Sequence, residues 1–233
     1  MSRLSATLAC AILLGCHGGS LKASTANEVF DDRNVARLAV AVCSGDIIAI
    51  DRAVSEGANV NASGKGNMTP LAWAMNCRSV TGVKALLEKG ADPNKRVVNG
   101  VSPVWLASTY KKTDFLAALV SAGGSLNGSD LDRNTSALLG GLTSGFQNGV
   151  WDNYYFALNH GADVNIRYGP QPGITVAEKA VALGLFDKAL ELLHHGYNKD
   201  LNKLAEFASS RPADQDSDQA RYKAELLQRL NAG

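Results

Sequence analysis

The chain has 233 residues, of which 45% are hydrophobic and 19% charged, a composition typical of a globular protein with a sizeable core. The formal net charge of +1 excludes binding to nucleic acid or to an anionic membrane through a general excess of positive charge. Glycine is frequent, with 23 residues against 6 prolines, which predicts many turns with left-handed backbone.

Residues 1–15 predict a secretory signal peptide rather than a part of the fold. After a positive charge, residues 4–14 form an apolar run too short to span a bilayer. The following Leu-Leu-Gly-Cys resembles a bacterial lipobox, which implies cleavage before Cys16, acylation of its thiol and a stable membrane anchor. His17 stands where an inner-membrane retention signal has Asp, so we expect the inner leaflet of the outer membrane. The alternative is cleavage after Ala23, which releases a free periplasmic protein.

A repeat occupies the rest of the chain. The glycines at 57, 90 and 123 are each 33 residues apart, and those at 161 and 196 follow after 38 and 35 residues. They lie in the similar strings SEGANVN, EKGADPN, SAGGSLN, NHGADVN and HHGYNKD. A second set of strings, TPLAWA, SPVWLA, TSALLGG and TVAEKA, precedes four of these turns. A period in this range predicts a solenoid.

Each repeat carries the signals of two short helices. In TPLAWA, Thr69 can cap a helix and Pro70 takes its first position, which needs no amide hydrogen. In VKALLEKG, apolar residues at i, i+3 and i+4 form one stripe, and Gly90 supplies the left-handed residue that ends the helix. Asp92 is expected to bond to the backbone of its own turn.

These strings resemble the ankyrin repeat over about residues 35–200. The resemblance implies an all-α fold, an ankyrin-repeat solenoid of about six helix-turn-helix units with β-hairpin-like fingers. We expect a linker over residues 16–34, starting at the lipidated Cys16, and an ankyrin-repeat domain over 35–233. Residues 201–233 lack the glycine turn and are predicted to form the C-terminal capping unit.

Three departures from the regular repeat are predicted to meet a protein partner. The fourth repeat is four or five residues too long, and we expect the insertion in an exposed loop between its two helices, with several aromatic residues. Two tryptophans lie on first helices, where core packing is the alternative. The finger tips form the third group. The candidate partner-binding residues are Lys65, Trp73, Arg96, Trp105, Asp130, Asp132, Arg133, Phe146, Trp151, Tyr154, Arg167 and Tyr168.

No catalytic residue, metal or cofactor is predicted. The string GLTSG has Thr where a nucleophile elbow needs Ser, and there is no P-loop or dinucleotide fingerprint. Asp130 and Asp132 match the first ligand positions of an EF-hand calcium loop, but Gly141 stands where such a loop needs a bidentate Glu. Cys43 and Cys77 end the first helices of adjacent repeats. A disulfide and two free thiols stay open as alternatives, because packed helices lie about 10 Å apart.

The strings MTPLAWAMN, LLEKGADPN and GVSPVWLAS resemble a group of bacterial ankyrin lipoproteins. Members of that group resemble immunity proteins of type VI secretion phospholipase effectors. The resemblance implies a non-enzymatic periplasmic protein, monomeric when free, that binds a cognate antibacterial toxin and occludes its active site. The alternative function is a periplasmic scaffold or stress protein that supports an enzyme such as a peroxidase.

Overall fold

The computed structural model describes residues 23–97, 100–128, 136–169, 173–213 and 217–231. Within these ranges the chain forms thirteen α-helices, a 3-10 turn at Lys65–Asn67 and one pair of short strands. The helices are α1 (Ala23–Val29), α2 (Arg33–Ser44), α3 (Ile47–Ser55), α4 (Pro70–Asn76), α5 (Val80–Glu88), α6 (Pro103–Ser108), α7 (Asp114–Ser121), α8 (Ala137–Asn148), α9 (Asp152–Asn159), α10 (Val176–Ala182), α11 (Phe186–His194), α12 (Leu201–Ser210) and α13 (Asp218–Asn231). No helix of the described part is long and apolar enough to cross a membrane.

The helices from α2 to α13 form six consecutive pairs, as the repeat predicts. The chain divides into two compact units. The first holds the residues up to Ala107 together with Lys112–Ser125, and the second holds Ser108–Lys111 and the residues from Leu126 onward. The predicted signal peptide and Cys16 lie outside the described residues.

The helix starts follow the capping signals of the sequence. Thr69 accepts a hydrogen bond from the amide of Ala72 at 3.1 Å, and Pro70 occupies the first position of α4. At α10, Thr175 and Glu178 form a reciprocal capping box, in which each side chain bonds to the backbone of the other residue. The first helices of the second and fifth pairs are therefore fixed locally by their own residues.

The turn glycines end the second helices. Gly57, Gly90, Gly123, Gly161 and Gly196 all have positive φ, between 84° and 96°. A residue with a side chain is strained in this left-handed region, which explains why glycine recurs at this place in each repeat. The Asp92 carboxylate accepts the amide of Asn94 at 2.8 Å, so Asp92 bonds to its own turn as predicted.

A ladder of asparagines joins successive repeats. Each asparagine lies four residues after the turn glycine of its own repeat, and its side chain reaches the turn of the next repeat. The Asn94 amide group donates to Gly123 O at 3.0 Å, and its oxygen accepts the amide of Ser125 at 2.8 Å. Asn61 and Asn165 repeat both bonds, and Asn127 accepts the corresponding amide of Asp163. We refer to Asn61, Asn94, Asn127 and Asn165 as the asparagine ladder.

The predicted linker over 16–34 is helical from Ala23 to Val29, which the sequence reading missed. Ala26, Val29 and Phe30 are buried, and the Phe30 ring meets the Trp73 ring edge-on at 5.7 Å. The helix α1 packs on α2 and covers apolar surface that the first pair would otherwise expose. The folded part therefore begins before residue 35.

Cys43 and Cys77 are joined by a disulfide, with their Cα atoms 5.2 Å apart. Ordinary packing of neighbouring helices would keep these positions farther apart. Gly82 explains the local approach, because a Cβ at this position would lie 2.1 Å from the carbonyl oxygen of Val42. The missing side chain lets α5 come close to the end of α2, beside Cys43.

One of the fingers contains a β-hairpin. The strands β1 (Arg167–Tyr168) and β2 (Ile174–Thr175) are antiparallel, with Arg167 opposite Thr175 and Tyr168 opposite Ile174. In the second repeat the corresponding bond is formed by the amide of Val97, which donates to Val101 O at 2.9 Å. The hairpin-like character of the fingers is therefore present at both places.

Replacing Asn94 by Ala should lower the free energy of unfolding by about 1–3 kcal/mol, since two hydrogen bonds worth roughly 0.5–1.5 kcal/mol each are lost. Urea unfolding followed by circular dichroism measures the change. Asn148→Ala is the control, because Asn148 is an exposed asparagine at the end of α8 and outside the ladder. Equal effects of the two substitutions would contradict a role of the ladder in stability.

Candidate interaction surface

The basic residues of the second finger are bound to backbone carbonyls. Lys95 donates to Asn61 O in the preceding finger, and Arg96 Nη1 donates to Gly100 O at 3.1 Å. Both side chains are half-buried. Lys65, in the 3-10 turn of the first finger, is exposed. The second finger is thus a braced turn, in which the predicted contact residue Arg96 also stabilises the finger itself.

Arg167 joins the β-hairpin to the C-terminal helix pairs. Its Nη1 donates to Gly173 O at 3.0 Å and lies 3.4 Å from Glu178 Oε2, while its Nη2 pairs with the Asp200 carboxylate. Glu178 is buried and also pairs with Lys203 Nζ at 3.2 Å. A buried carboxylate needs such partners to offset its loss of water. Most of the bonding capacity of Arg167 is therefore used inside the protein.

The aromatic residues of the fourth repeat surround a lysine that the sequence reading did not single out. Lys188 Nζ donates to the Tyr155 hydroxyl at 2.5 Å and lies 4.9 Å from the ring centres of both Trp151 and Tyr155. It also pairs with Asp187 at 3.1 Å and with Glu191 at 3.5 Å. The ammonium group is thus held by aromatic faces and by two carboxylates. We call Trp151, Tyr154, Tyr155 and Lys188 the aromatic base.

Two members of this cluster that we call the aromatic base, Lys188 and Tyr154, have raised pKa values. Burial lowers the pKa of Lys188, but its hydrogen bonds to Tyr155 and Asp187 and the nearby carboxylate charges outweigh burial, so the pKa is raised. Burial raises the pKa of Tyr154 far above its usual value of 10.0, and the charge of Glu191 adds to this effect. At neutral pH, Lys188 is therefore a bound cation rather than a nucleophile.

The insertion of the fourth repeat lengthens a helix instead of forming a loop. The helix α8 has 12 residues, against 7 in α4 and in α10. Its close approach to α9 depends on two glycines four residues apart. A Cβ at Gly141 would lie 2.5 Å from the backbone nitrogen of Tyr154, and one at Gly145 would lie 2.2 Å from the Trp151 ring. The spacing of these glycines was the sequence signal for this packing.

Phe146 lies on the last turn of α8 and is 50% exposed. The expectation of an exposed loop at Phe146 was wrong, because the extra residues continue the helix up to a left-handed Gly149. The exposure of its side chain agrees with the prediction. Phe146 is therefore an exposed aromatic side chain on a regular helix, and aromatic residues of this kind are enriched at protein interfaces.

Three of the predicted contact residues belong to the core. Trp73, Tyr154 and Tyr168 are between 0% and 2% exposed, so the assignment of these side chains to a binding surface was wrong. Trp73 packs edge-on against Phe30, which follows α1, and the Tyr154 ring packs edge-on against the rings of Trp151 and Tyr155. Trp105 and Trp151 are half-buried. Asp130, Asp132 and Arg133 lie outside the described residues.

An open groove lies between α5 and α7 in the first unit. Its volume is about 500 Å³, and its walls carry alanines and a leucine, with Lys84, Glu88 and Asp114 among the lining residues. The mixture of small apolar and charged side chains is ordinary for a surface between two outer helices. No group of three or more His, Cys, Asp or Glu residues with metal-binding geometry occurs within the described part of the chain.

Comparisons with known proteins agree with this architecture. A family model described as ankyrin repeats (3 copies) matches residues 38–135. The crystal structure of the human ASB11 ankyrin repeat domain aligns with 84% of this chain and 84% of that chain, at a TM-score of 0.58 and 22% identity. The chain is an ankyrin-repeat protein by fold. Ankyrin repeats indicate a role in protein–protein interaction.

Two curated relatives match part of this ankyrin-repeat chain. The 2-5A-dependent ribonuclease of Mus musculus is 34% identical over 91 residues, and the putative ankyrin repeat protein FPV222 of Fowlpox virus is 28% identical over 85 residues. These matches cover 39% and 36% of this chain but only 12% and 11% of the two relatives. The chain therefore spans only a small part of the length of either relative.

Replacing Gly141 by Ala should lower the free energy of unfolding by about 1–3 kcal/mol, because the added methyl group meets the backbone of Tyr154, which cannot turn away as a side chain can. Urea unfolding measures the change. Gln147→Ala, at an exposed position of the same helix, should change stability by no more than about 0.5 kcal/mol. Unchanged stability of Gly141→Ala would contradict the close packing of α8 on α9.

Replacing Tyr154 by Phe should raise the stability by about 1 kcal/mol at pH 7, since the buried hydroxyl has no hydrogen-bond partner among the residues that the structure describes. Folding raises the pKa of Tyr154, so above pH 10.0 the unfolded chain ionises this group while the folded protein does not, and stability falls as the pH rises. Tyr154→Phe should therefore show a smaller loss of stability between neutral pH and alkaline pH. Denaturant titrations across this range test both effects.

The control for this pH series is Tyr222→Phe, at a half-buried tyrosine on α13. This variant should lose stability at alkaline pH as the unchanged protein does. If Tyr154→Phe and Tyr222→Phe follow the same curve, the burial of the Tyr154 hydroxyl has no part in the alkaline loss.

Proposed function

We propose that this ankyrin-repeat chain is an exported lipoprotein, anchored at Cys16 on the periplasmic side of the outer membrane, that acts as an immunity protein. Its partner is a cognate antibacterial effector of the phospholipase type, and binding covers the active site of that effector. The exposed Phe146 on the lengthened fourth repeat carries the proposal of a binding surface. The resemblance of the sequence to bacterial ankyrin lipoproteins supports the class of partner.

The rigidity of the fourth repeat supports the use of Phe146 as an anchor. Glycine-mediated contact of α8 with α9 and the ion pairs of Lys188 fix the base on which the side chain stands. A contact residue that is held before binding loses less conformational entropy when the complex forms. Aromatic residues of this kind contribute a large share of the energy of protein interfaces.

The disulfide supports the proposed compartment. Cys43 and Cys77 are bridged, and disulfides persist in oxidising places such as the bacterial periplasm but are rare in the cytosol. The apolar N-terminal run followed by Gly15 and Cys16 agrees with export to the same compartment, the periplasm. These two observations are independent, since one concerns the folded repeats and the other the N-terminal sequence.

The inhibition requires no chemistry by this chain. A lysine held as a cation, carboxylates committed to ion pairs and a braced finger surface suit recognition rather than bond cleavage. Protection would be steric, because a bound ankyrin surface keeps phospholipid from the active site of the toxin. Such an interface buries about 1,200–2,000 Å² in total when the complex is stable.

The test is protection of cells together with capture of the effector. A strain that exports a phospholipase encoded beside this chain should survive when the chain is present, and the purified chain should retain that phospholipase. Phe146→Ala should weaken the affinity about tenfold or more, as expected for an interface anchor. Gln147→Ala is the matched control, because Gln147 is its exposed neighbour on α8 and should leave the affinity unchanged.

Different outcomes separate the two functions considered for this chain. Lack of protection and lack of capture would reject the immunity role. Sensitivity of a deletion strain to oxidant, in the absence of any toxin, would instead favour the scaffold or stress protein that supports an enzyme such as a peroxidase. Equal affinities of Phe146→Ala and the unchanged protein would show that the partner binds elsewhere.

A further inference from the structure

The first helix pair exposes more apolar surface than a terminal repeat should. Among the described residues, five large hydrophobic side chains are exposed, and three of them belong to α2 and α3. These are Val40 at 38%, Ile47 at 44% and Ile48 at 74% exposed. A terminal repeat of a solenoid has no neighbour on one side and needs a polar outer surface to remain soluble. Exposed apolar side chains at this place therefore need an explanation.

The contacts of Glu56 show which ends of α2 and α3 lie together. Arg37 Nη1 lies 3.3 Å from Glu56 Oε2, and the Asn34 side chain donates to Glu56 O at 2.7 Å. The residue after α3 thus lies beside the first half of α2, so the two helices are antiparallel. Ile47 and Ile48 lie in the first turn of α3, at the opposite end of this helix from Glu56.

Val40 follows Arg37 by three residues on the exposed stripe of α2, in the direction of the start of α3. Val40 lies one turn before the end of α2, and α3 starts three residues after that end, so Val40, Ile47 and Ile48 all lie at the same end of the pair. We call Val40, Ile47 and Ile48 the apolar edge. Arg37 and Glu56 form an exposed ion pair toward the other end of the pair.

The N-terminal tether decides what the apolar edge can reach. The described fold begins at Ala23, and α1 packs directly on α2. Cys16 precedes Ala23 by seven residues, a length of chain that spans at most about 25 Å when fully extended. With Cys16 acylated, the start of α1 is held within that distance of the bilayer, and the first helix pair, on which α1 packs, is kept near the membrane.

We propose that the apolar edge contacts the surface of the bilayer in which the protein is anchored. Its three side chains would enter the boundary between headgroups and acyl chains, where apolar side chains are stable beside charged ones. This contact rests on the lipid anchor of the proposed function and extends it. It fixes the orientation of the first helix pair on the membrane, in addition to the attachment that the acyl chains supply.

The test uses a tether that does not depend on acylation. The described fold lies within residues 23–231, so residues 1–16 are replaced by a hexahistidine tag, and the protein is bound to vesicles of phosphatidylethanolamine and phosphatidylglycerol with a nickel-chelating lipid. Arg52→Cys, one turn after Ile48, carries an environment-sensitive fluorophore. Ser121→Cys, on the exposed surface of α7 in the same unit, carries the same fluorophore as the control position.

On vesicles, the probe at position 52 should shift its emission to the blue and become several-fold less accessible to iodide, while the probe at position 121 should change little. Ile47→Gln combined with Ile48→Gln should abolish both changes at position 52. Both isoleucines are exposed, so the double variant should keep its fold and its melting temperature. If it does not, Ile48→Gln alone takes its place.

Three results would overturn the contact with the bilayer. The first is an unchanged probe at position 52 on vesicles, and the second is an equal change at both positions, which indicates non-specific adsorption. The third is a dimer in sedimentation analysis that Ile47→Gln and Ile48→Gln dissociate, because a second copy then covers the edge. The anchor itself is tested separately, since palmitate labelling of the full chain that persists in Cys16→Ala rejects the lipid anchor without affecting the tethered experiment.

Discussion

The register of successive helix pairs depends on one interaction. This interaction is the hydrogen bonding between the asparagine of one repeat and the turn of the next. The helices are 6 to 14 residues long, and helices of such length are marginal in water unless they pack on neighbours. Their apolar stripes attract neighbours but do not specify the longitudinal position of one repeat against the next. The asparagine ladder specifies it, because its side chains fit only the carbonyl of a left-handed glycine and the amide two residues later.

The fourth repeat shows how an irregular repeat is accommodated without losing that register. Its additional residues extend α8, and Gly141 and Gly145 allow the longer helix to lie against α9. Lys188 of the following repeat reaches the aromatic residues and donates a hydrogen bond to the Tyr155 hydroxyl. Its ammonium group also forms ion pairs with two carboxylates. The result is a closely packed helix pair with Phe146 exposed on the last turn of α8. A flexible loop of the same composition would present the aromatic ring at a higher entropic cost of binding.

The fold type and most of its local features, such as helix starts, helix ends and turns, followed from the sequence. The 33-residue spacing, the Thr-Pro helix starts and the turn glycines predicted the helix pairs, the caps and the left-handed residues that the structure contains. The site residues were less predictable. An aromatic residue at helical spacing has the same sequence pattern whether it faces a neighbouring repeat or the solvent, so Trp73, Tyr154 and Tyr168 were placed on the surface although they lie in the core.

The sequence by itself determined what depends on near neighbours in the chain, namely where helices begin, where they end and how often the unit recurs. Only the tertiary structure decided what depends on residues far apart in the chain. The bridge joins Cys43 and Cys77, which are 34 residues apart, and Gly82 lets α5 approach the end of α2 that carries Cys43. The cation at the centre of the fourth repeat comes from Lys188, more than thirty residues away from Tyr155. Burial and partner choice are properties of packing, and a periodic sequence pattern does not specify them.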